Sequence, residues 1–142
     1  MRAAKTTAAL AAAALVAAAA GPAATASAAG SIGCGAVVTT NVILRTDIVN
    51  CSGDGLVVGA NGIRIDLNGH QLTGLETPGS VGIRNVGHNG VRIDSSKPFG
   101  SINEFDVGVL ITRASRNTVT NVLTRTVNVG LRLEHADRAV LA

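Results

Sequence analysis

The 142-residue chain has almost no aromatic side chains: two phenylalanines, with neither Trp nor Tyr. That scarcity argues against a sugar-stacking cleft, a base-stacking RNA surface and an aromatic-centred core, all of which depend on flat rings. Cysteine is limited to two residues, Cys34 and Cys51, with no CxxC and with His70 well past the second. The three histidines, His70, His88 and His135, show no zinc-ligand spacing either, so no metal site is expected. Neither GxGxxG at a strand-helix junction nor GxxxxGK[ST] occurs, which removes the usual nucleotide cradles. Past residue 30 no segment approaches the roughly 20 apolar residues needed to cross a bilayer.

The first thirty residues differ in kind from the rest, holding 17 of the 23 alanines. Basic Arg2 and Lys5 precede an apolar run from Ala8 to Ala20, a Gly21-Pro22 break and the small tripeptide Ala26-Ser27-Ala28. This order describes a helical secretory signal at 1–28, with cleavage after Ala28, and the apolar run is too short for a membrane anchor. Its removal takes away Arg2 and Lys5 and lowers the formal charge from +3 to +1. The basicity therefore belongs mainly to the signal, and nucleic acid is not an expected partner. Export implies a secreted, extracellular protein with no membrane span after cleavage, in a compartment where Cys34 and Cys51 are expected to form a disulfide.

The mature region is organised by repetition. Gly-Leu-Val-Val begins at Gly55, Gly-Ile-Arg-Asn at Gly82, Gly-Val-Leu-Ile at Gly108 and Gly-Leu-Arg-Leu at Gly130. The interval is roughly 25 residues, within the range that marks solenoid repeats. A second strand motif, Asn61-Gly62-Ile63-Arg64-Ile65-Asp66, recurs as Asn89-Gly90-Val91-Arg92-Ile93-Asp94 and, degraded, as Asn117-Thr118-Val119-Thr120. Third strands fit around Gln71 to Thr73, Ser101 to Asn103 and Val122 to Thr124. Three short strands per period, separated by Gly, Asn, Asp and Ser turns, describe an all-β fold, a right-handed parallel β-helix of about four coils. Period-2 alternation turns Ile63 and Ile65 to one face and Arg64 and Asp66 to the other. One coil cannot bury its apolar face alone, but coils stacked about 4.8 Å apart build an aliphatic column. An antiparallel sandwich would not return one motif at this period, and the LxxLxL pattern of leucine-rich repeats is missing.

On these residues, above all NCSGDGLVVGANGIRIDLNGHQLTG within Cys34 to Gly74, the chain resembles secreted right-handed parallel β-helix repeat proteins of the pectin-lyase-like group. Ser101 to Val109 is similar to a further coil of that group, although Asn103-Glu104 stands where a Gly is expected. The resemblance implies fold more than function, because the same architecture hosts lyases, hydrolases, epimerases, adhesins and non-catalytic binders. It also implies that the chain ahead of the first coil is a cap. The expected organisation is a signal at 1–28, an N-terminal cap with its disulfide at 29–54, in which Val37 to Ile48 is a covering strand, and C-terminally incomplete coils at 55–142.

The best chemical constellation is the outward pair Arg64 and Asp66 stacked on Arg92 and Asp94. On adjacent rungs these residues are candidate contacts for an acidic polysaccharide or calcium, with an arginine as base beside a uronate carboxylate. The competing reading is a solvated face in which each Arg lies diagonally from an Asp. His70 near Asp66 would form an acid-base pair, whereas the surrounding Asp66-Leu67-Asn68-Gly69-His70 also reads as a turn with Asn68 in the left-handed conformation. The Trp-Ile-Asp-His and Arg-x-Pro-x-x-Arg strings of pectate lyases, the polygalacturonase signatures and the Asp-Pro-His motif of alginate epimerases are all missing. The sequence therefore favours a non-catalytic extracellular carbohydrate-binding or structural module with no cofactor and no assigned catalytic residue. The alternative is a lyase or epimerase acting on acidic polysaccharide, with calcium as its cofactor.

Overall fold

The computed structural model describes residues 32–125 and 127–142, so the expected signal at 1–28 lies outside the described residues. Within them the chain is all β and winds as a parallel β-helix, three strands to a turn. The first turn is β1 (Ala36–Val38), β2 (Val42–Ile43) and β3 (Ile48–Cys51). The second is β4 (Leu56–Val58), β5 (Arg64–Asp66) and β6 (Gln71–Gly74), and the third β7 (Val81–Val86), β8 (Arg92–Asp94) and β9 (Ser101–Asn103). The fourth is β10 (Val107–Thr112), β11 (Thr118–Val119) and β12 (Leu123–Arg125), after which β13 (Val129–Glu134) and β14 (Val140–Leu141) begin a fifth. Corresponding strands pair in parallel, giving a first sheet β1-β4-β7-β10-β13, a second β2-β5-β8-β11-β14 and a third β3-β6-β9-β12.

The segment read as a single covering strand, Val37 to Ile48, instead runs as three strands that each extend one sheet. Ala36 stands opposite Leu56, Val42 opposite Ile65 and Ile48 opposite Leu72. The physical reason is the same glycine-led pattern seen later: Gly35-Ala36-Val37-Val38 matches Gly55-Leu56-Val57-Val58 position by position, and the Gly35 N–H donates to the Gly55 carbonyl at 2.7 Å. Cys34 and Cys51 are joined in a disulfide, with Cα atoms 5.4 Å apart. The bridge ties the entrance of the first turn to the end of its third strand and stabilises the chain by about 3 kcal/mol on a loop-closure argument.

Side chains of like chemistry stack rung on rung. Leu56, Ile83, Val109 and Leu131 form one column, Ile65, Ile93 and Val119 a second, and Ile48, Leu72 and Ile102 a third. Aliphatic residues suffice because the space between the three sheets is filled by short inward side chains, with Leu56 and Val58 from β4 and Val107, Val109 and Ile111 from β10 among them. Phe105, buried, plugs the corner between the third and first sheets, while Phe99 is 84% exposed. The glycines that mark the period form a column of their own. A Cβ on Gly55 would lie 2.5 Å from the Gly82 carbonyl oxygen, one on Gly82 2.5 Å from that of Gly108, and one on Gly108 2.5 Å from that of Gly130. Backbone passes over backbone there, and no side chain fits between. Glu104, where the resemblance implies glycine, makes its turn at φ 60°.

Candidate functional site

The strands β5 and β8 lie in register, Arg64 opposite Arg92, Ile65 opposite Ile93 and Asp66 opposite Asp94, so the four candidate residues do come together on adjacent rungs. Their exposure differs from the sequence expectation. The isoleucines face the core, but Asp66 and Asp94 are only 2% and 3% exposed. Alternation alone turns the carboxylates away from Ile65 and Ile93; what buries them is the turn after β8, together with the arginines that lie across them. The Asn68 and Ser96 N–H groups both donate to Asp66 Oδ1 at 2.8 Å, and Arg64 Nη2 reaches Asp66 Oδ2 at 3.1 Å. Arg64 Nε donates to Asp94 at 3.0 and 3.2 Å, and Arg92 Nε donates to the same carboxylate at 2.7 Å.

The diagonal Arg64–Asp94 contact therefore holds one rung to the next, and Asp66 does the same through Ser96. Burial would push the Asp66 carboxyl up, but the donors at Ser96 and Asn68 and the Arg64 charge outweigh it and hold the group below the usual carboxylate range. The hydrogen bond to Asp94 raises Arg64 further above its already high value. A guanidinium so paired is a poor base, and carboxylates filled by protein donors offer a cation few open lone pairs. Among the described residues no three His, Cys, Asp or Glu side chains are grouped to hold a metal ion.

His70 is not the partner of Asp66. Its Nδ1 lies 3.0 Å from Asp47 Oδ1, which also accepts the Gln71 N–H at 3.0 Å. Asp47 sits one rung below and shares one oxygen between His70 and the Gln71 N–H, so the pair clasps two rungs at the surface. Asn68 does take the left-handed conformation, φ 52°, as its turn requires.

Comparison with known protein families, curated proteins and solved structures gives no match.

The repeat already places Arg84 and Arg132 outward in one column with Val57 and Leu110, and the structure shows that column; the partners there, and a second constellation, escaped the sequence reading. Arg84, opposite Val57 and Leu110 on the outer face of the first sheet, makes a two-pronged pair with Asp54 at 2.6 and 3.0 Å, while Arg132, the next along, reaches Glu134 at 2.7 Å. That outer column thus alternates apolar residues with internally paired arginines. At the corner between the third and first sheets, Glu76, Phe105, Asp106, Val127 and Asn128 line a cleft of about 400 Å³. Its Asp106 is occupied by Asn128 Nδ2 at 2.7 Å and the Gly79 N–H at 2.8 Å. Both could have been anticipated only by placing Asp54 and Asp106 one period from their partners.

Proposed function

We propose that this chain is an exported protein of the pectin-lyase-like β-helix group that serves as a non-catalytic extracellular module, binding polysaccharide or presenting a rigid surface. The observation that carries this reading is that Arg64, Asp66, Arg92 and Asp94, the residues with lyase-like chemistry, are committed to one another and to the turns they hold together. Proton abstraction beside a uronate needs a base that can lose its own proton, and Arg64 is biased the other way by Asp94. The domain reading that accompanies it is a signal at 1–28 and an N-terminal segment, 29–54, whose described residues form the first turn and carry the disulfide.

Affinity electrophoresis through gels containing plant, algal and bacterial polysaccharides, run beside ultraviolet and viscosity assays on polyuronides, separates the two function classes. A retarded protein that leaves the polymer intact is the expected result. Turnover that requires calcium or is abolished by Arg92→Gln would replace this reading with the lyase or epimerase one. Neither retardation nor turnover on any polymer would remove the carbohydrate assignment altogether.

A further inference from the structure

The corner between the first and second sheets is closed by the same pair of left-handed residues in its last three rungs, and the occupants change along the molecule. Gly59-Ala60-Asn61-Gly62-Ile63 and Gly87-His88-Asn89-Gly90-Val91 are followed by Arg113-Ala114-Ser115-Arg116-Asn117 and His135-Ala136-Asp137-Arg138-Ala139. Left-handed backbone recurs at the same places: Gly87 and Gly90 at φ 80° and 67°, then Arg113 and Arg116 at 54° and 58°, then His135 and Arg138 at 51° and 55°. Glycine meets that conformation freely, whereas a residue with a Cβ costs about 1–2 kcal/mol there. Each of the four strained positions carries a basic side chain, and backbone outliers of this kind are kept where the side chain has a use.

Nothing in the fold accounts for these arginines. Arg113, Arg116 and Arg138 are exposed and form no ion pair among the described residues, unlike Arg64, Arg84, Arg92 and Arg132. Charge is also segregated along the axis: residues 32–106 hold five cations against seven carboxylates, and residues 107–142 five arginines against two. The Arg116 N–H donates to the Asp137 carbonyl and the Arg113 N–H to that of Glu134, both at 2.9 Å, so Arg116 stands one rung from Arg138 and Arg113 one rung from His135. Asp137 is the one carboxylate within these two turns, and it is exposed between them.

We propose that Arg113, Arg116 and Arg138 form the binding site for a linear anionic polysaccharide, carboxylated or sulfated, laid along the stack of rungs. The inference rests on the carbohydrate-binding reading and moves its site away from Arg64 and Arg92, whose guanidinium groups are already engaged. Unpaired guanidinium forks take carboxylate and sulfate oxygens in pairs, and their rung spacing of about 4.8 Å lets one chain meet several of them. No Phe, Tyr or Trp stands in these turns, so a neutral sugar lacks the platform it would stack on.

The test is titration of the protein with polygalacturonate, heparin and neutral dextran at about 50 and 200 mM salt, beside the triple variant Arg113→Gly/Arg116→Gly/Arg138→Gly. Glycine is what the preceding turn carries at both places, as Gly87 and Gly90, so the variant keeps or raises its thermal midpoint, and a loss of binding is not a loss of fold. The expected result is affinity for one or both anionic polymers that falls at least about tenfold in the variant, with a shallower salt dependence. Arg125→Gln, which removes a cation from the third sheet, stays within about twofold of the parent. Binding to polygalacturonate shows that carboxylates suffice, whereas binding to heparin alone, which carries carboxylates as well, shows that sulfate is required. Equal binding by parent and triple variant, or an equal loss in Arg125→Gln, overturns this site while leaving carbohydrate binding intact, as does a preference for dextran. No binding to any of the three overturns the site and the broader reading together.

Discussion

A single carboxylate, Asp66, ties two rungs at once, with Oδ1 shared by the Asn68 and Ser96 N–H groups and Oδ2 facing Arg64. Removing the buried carboxylate takes the acceptor from the N–H groups of half-buried Asn68 and exposed Ser96, and losses of that kind run to about 3 kcal/mol. Asp66→Ala is therefore expected to lower the free energy of unfolding by about 3 kcal/mol, and Asp66→Asn, which keeps a carbonyl acceptor, by about 1 kcal/mol. Urea unfolding of the two variants checks this, and equal losses would show that charge, not backbone satisfaction, is what Asp66 contributes. Asn41, Asn61 and Asn89 act in the same sense, their side-chain oxygens accepting the Arg64, Asn89 and Ser115 N–H groups of the next rung at 2.8, 2.9 and 2.7 Å. The Asn-Gly pairs were legible as turns. Their second task, and the pairing of His70 with Asp47, were not, because sequence neighbours draw the eye while a solenoid's spatial neighbours lie a full period away.

Between elements, the glycine column sets the distance at which one turn settles on the next. Gly82→Ala would push its Cβ onto the Gly108 carbonyl at 2.5 Å, a backbone contact that no rotamer change relieves. The expected cost is about 3 kcal/mol, the upper range for overpacking, with an unchanged denaturant slope. Ala substitution at Gly87, an open corner, should cost less, since only its φ of 80° opposes it; equal losses at the two sites would contradict the close-packing account. The repeats from Gly55 onward were readable because glycine, Asn-Gly and alternating Ile recur at similar offsets. The first turn was missed because Gly35 stands closer to Gly55 than the later glycines stand to one another, and because its second strand lacks the Asn-Gly-Ile-Arg-Ile-Asp string. Strand pairing needs only the backbone and an inward aliphatic residue, and the first turn supplies both. The buried state of Asp66 and Asp94 was hidden for a related reason: alternation fixes the side of the sheet a residue occupies, and not what the neighbouring turn lays over it.

Across the whole molecule, rungs meet only their neighbours, so stability is a chain of interfaces and aspartates sit at several of them. Asp47 is lowered chiefly by the Gln71 N–H and then by His70, and Asp106 chiefly by Asn128 and then by the Gly79 N–H. At Asp54, as at Asp66, burial pushes the carboxyl up, and hydrogen bonds prevail, there from Arg84 and the Val81 N–H. All four native carboxyls thus bind protons less readily than in the unfolded chain, where the ordinary value is 3.8. Since the unfolded state takes up more protons as acid is added, stability is present above that value and lost as pH falls through the depressed native ones. Thermal midpoints should therefore drop steeply below about pH 4, and Asp54→Asn should flatten that drop by removing one of the linked groups. A midpoint that held level down to about pH 2, or rose in acid, would mean that these carboxylates do not clamp the rungs.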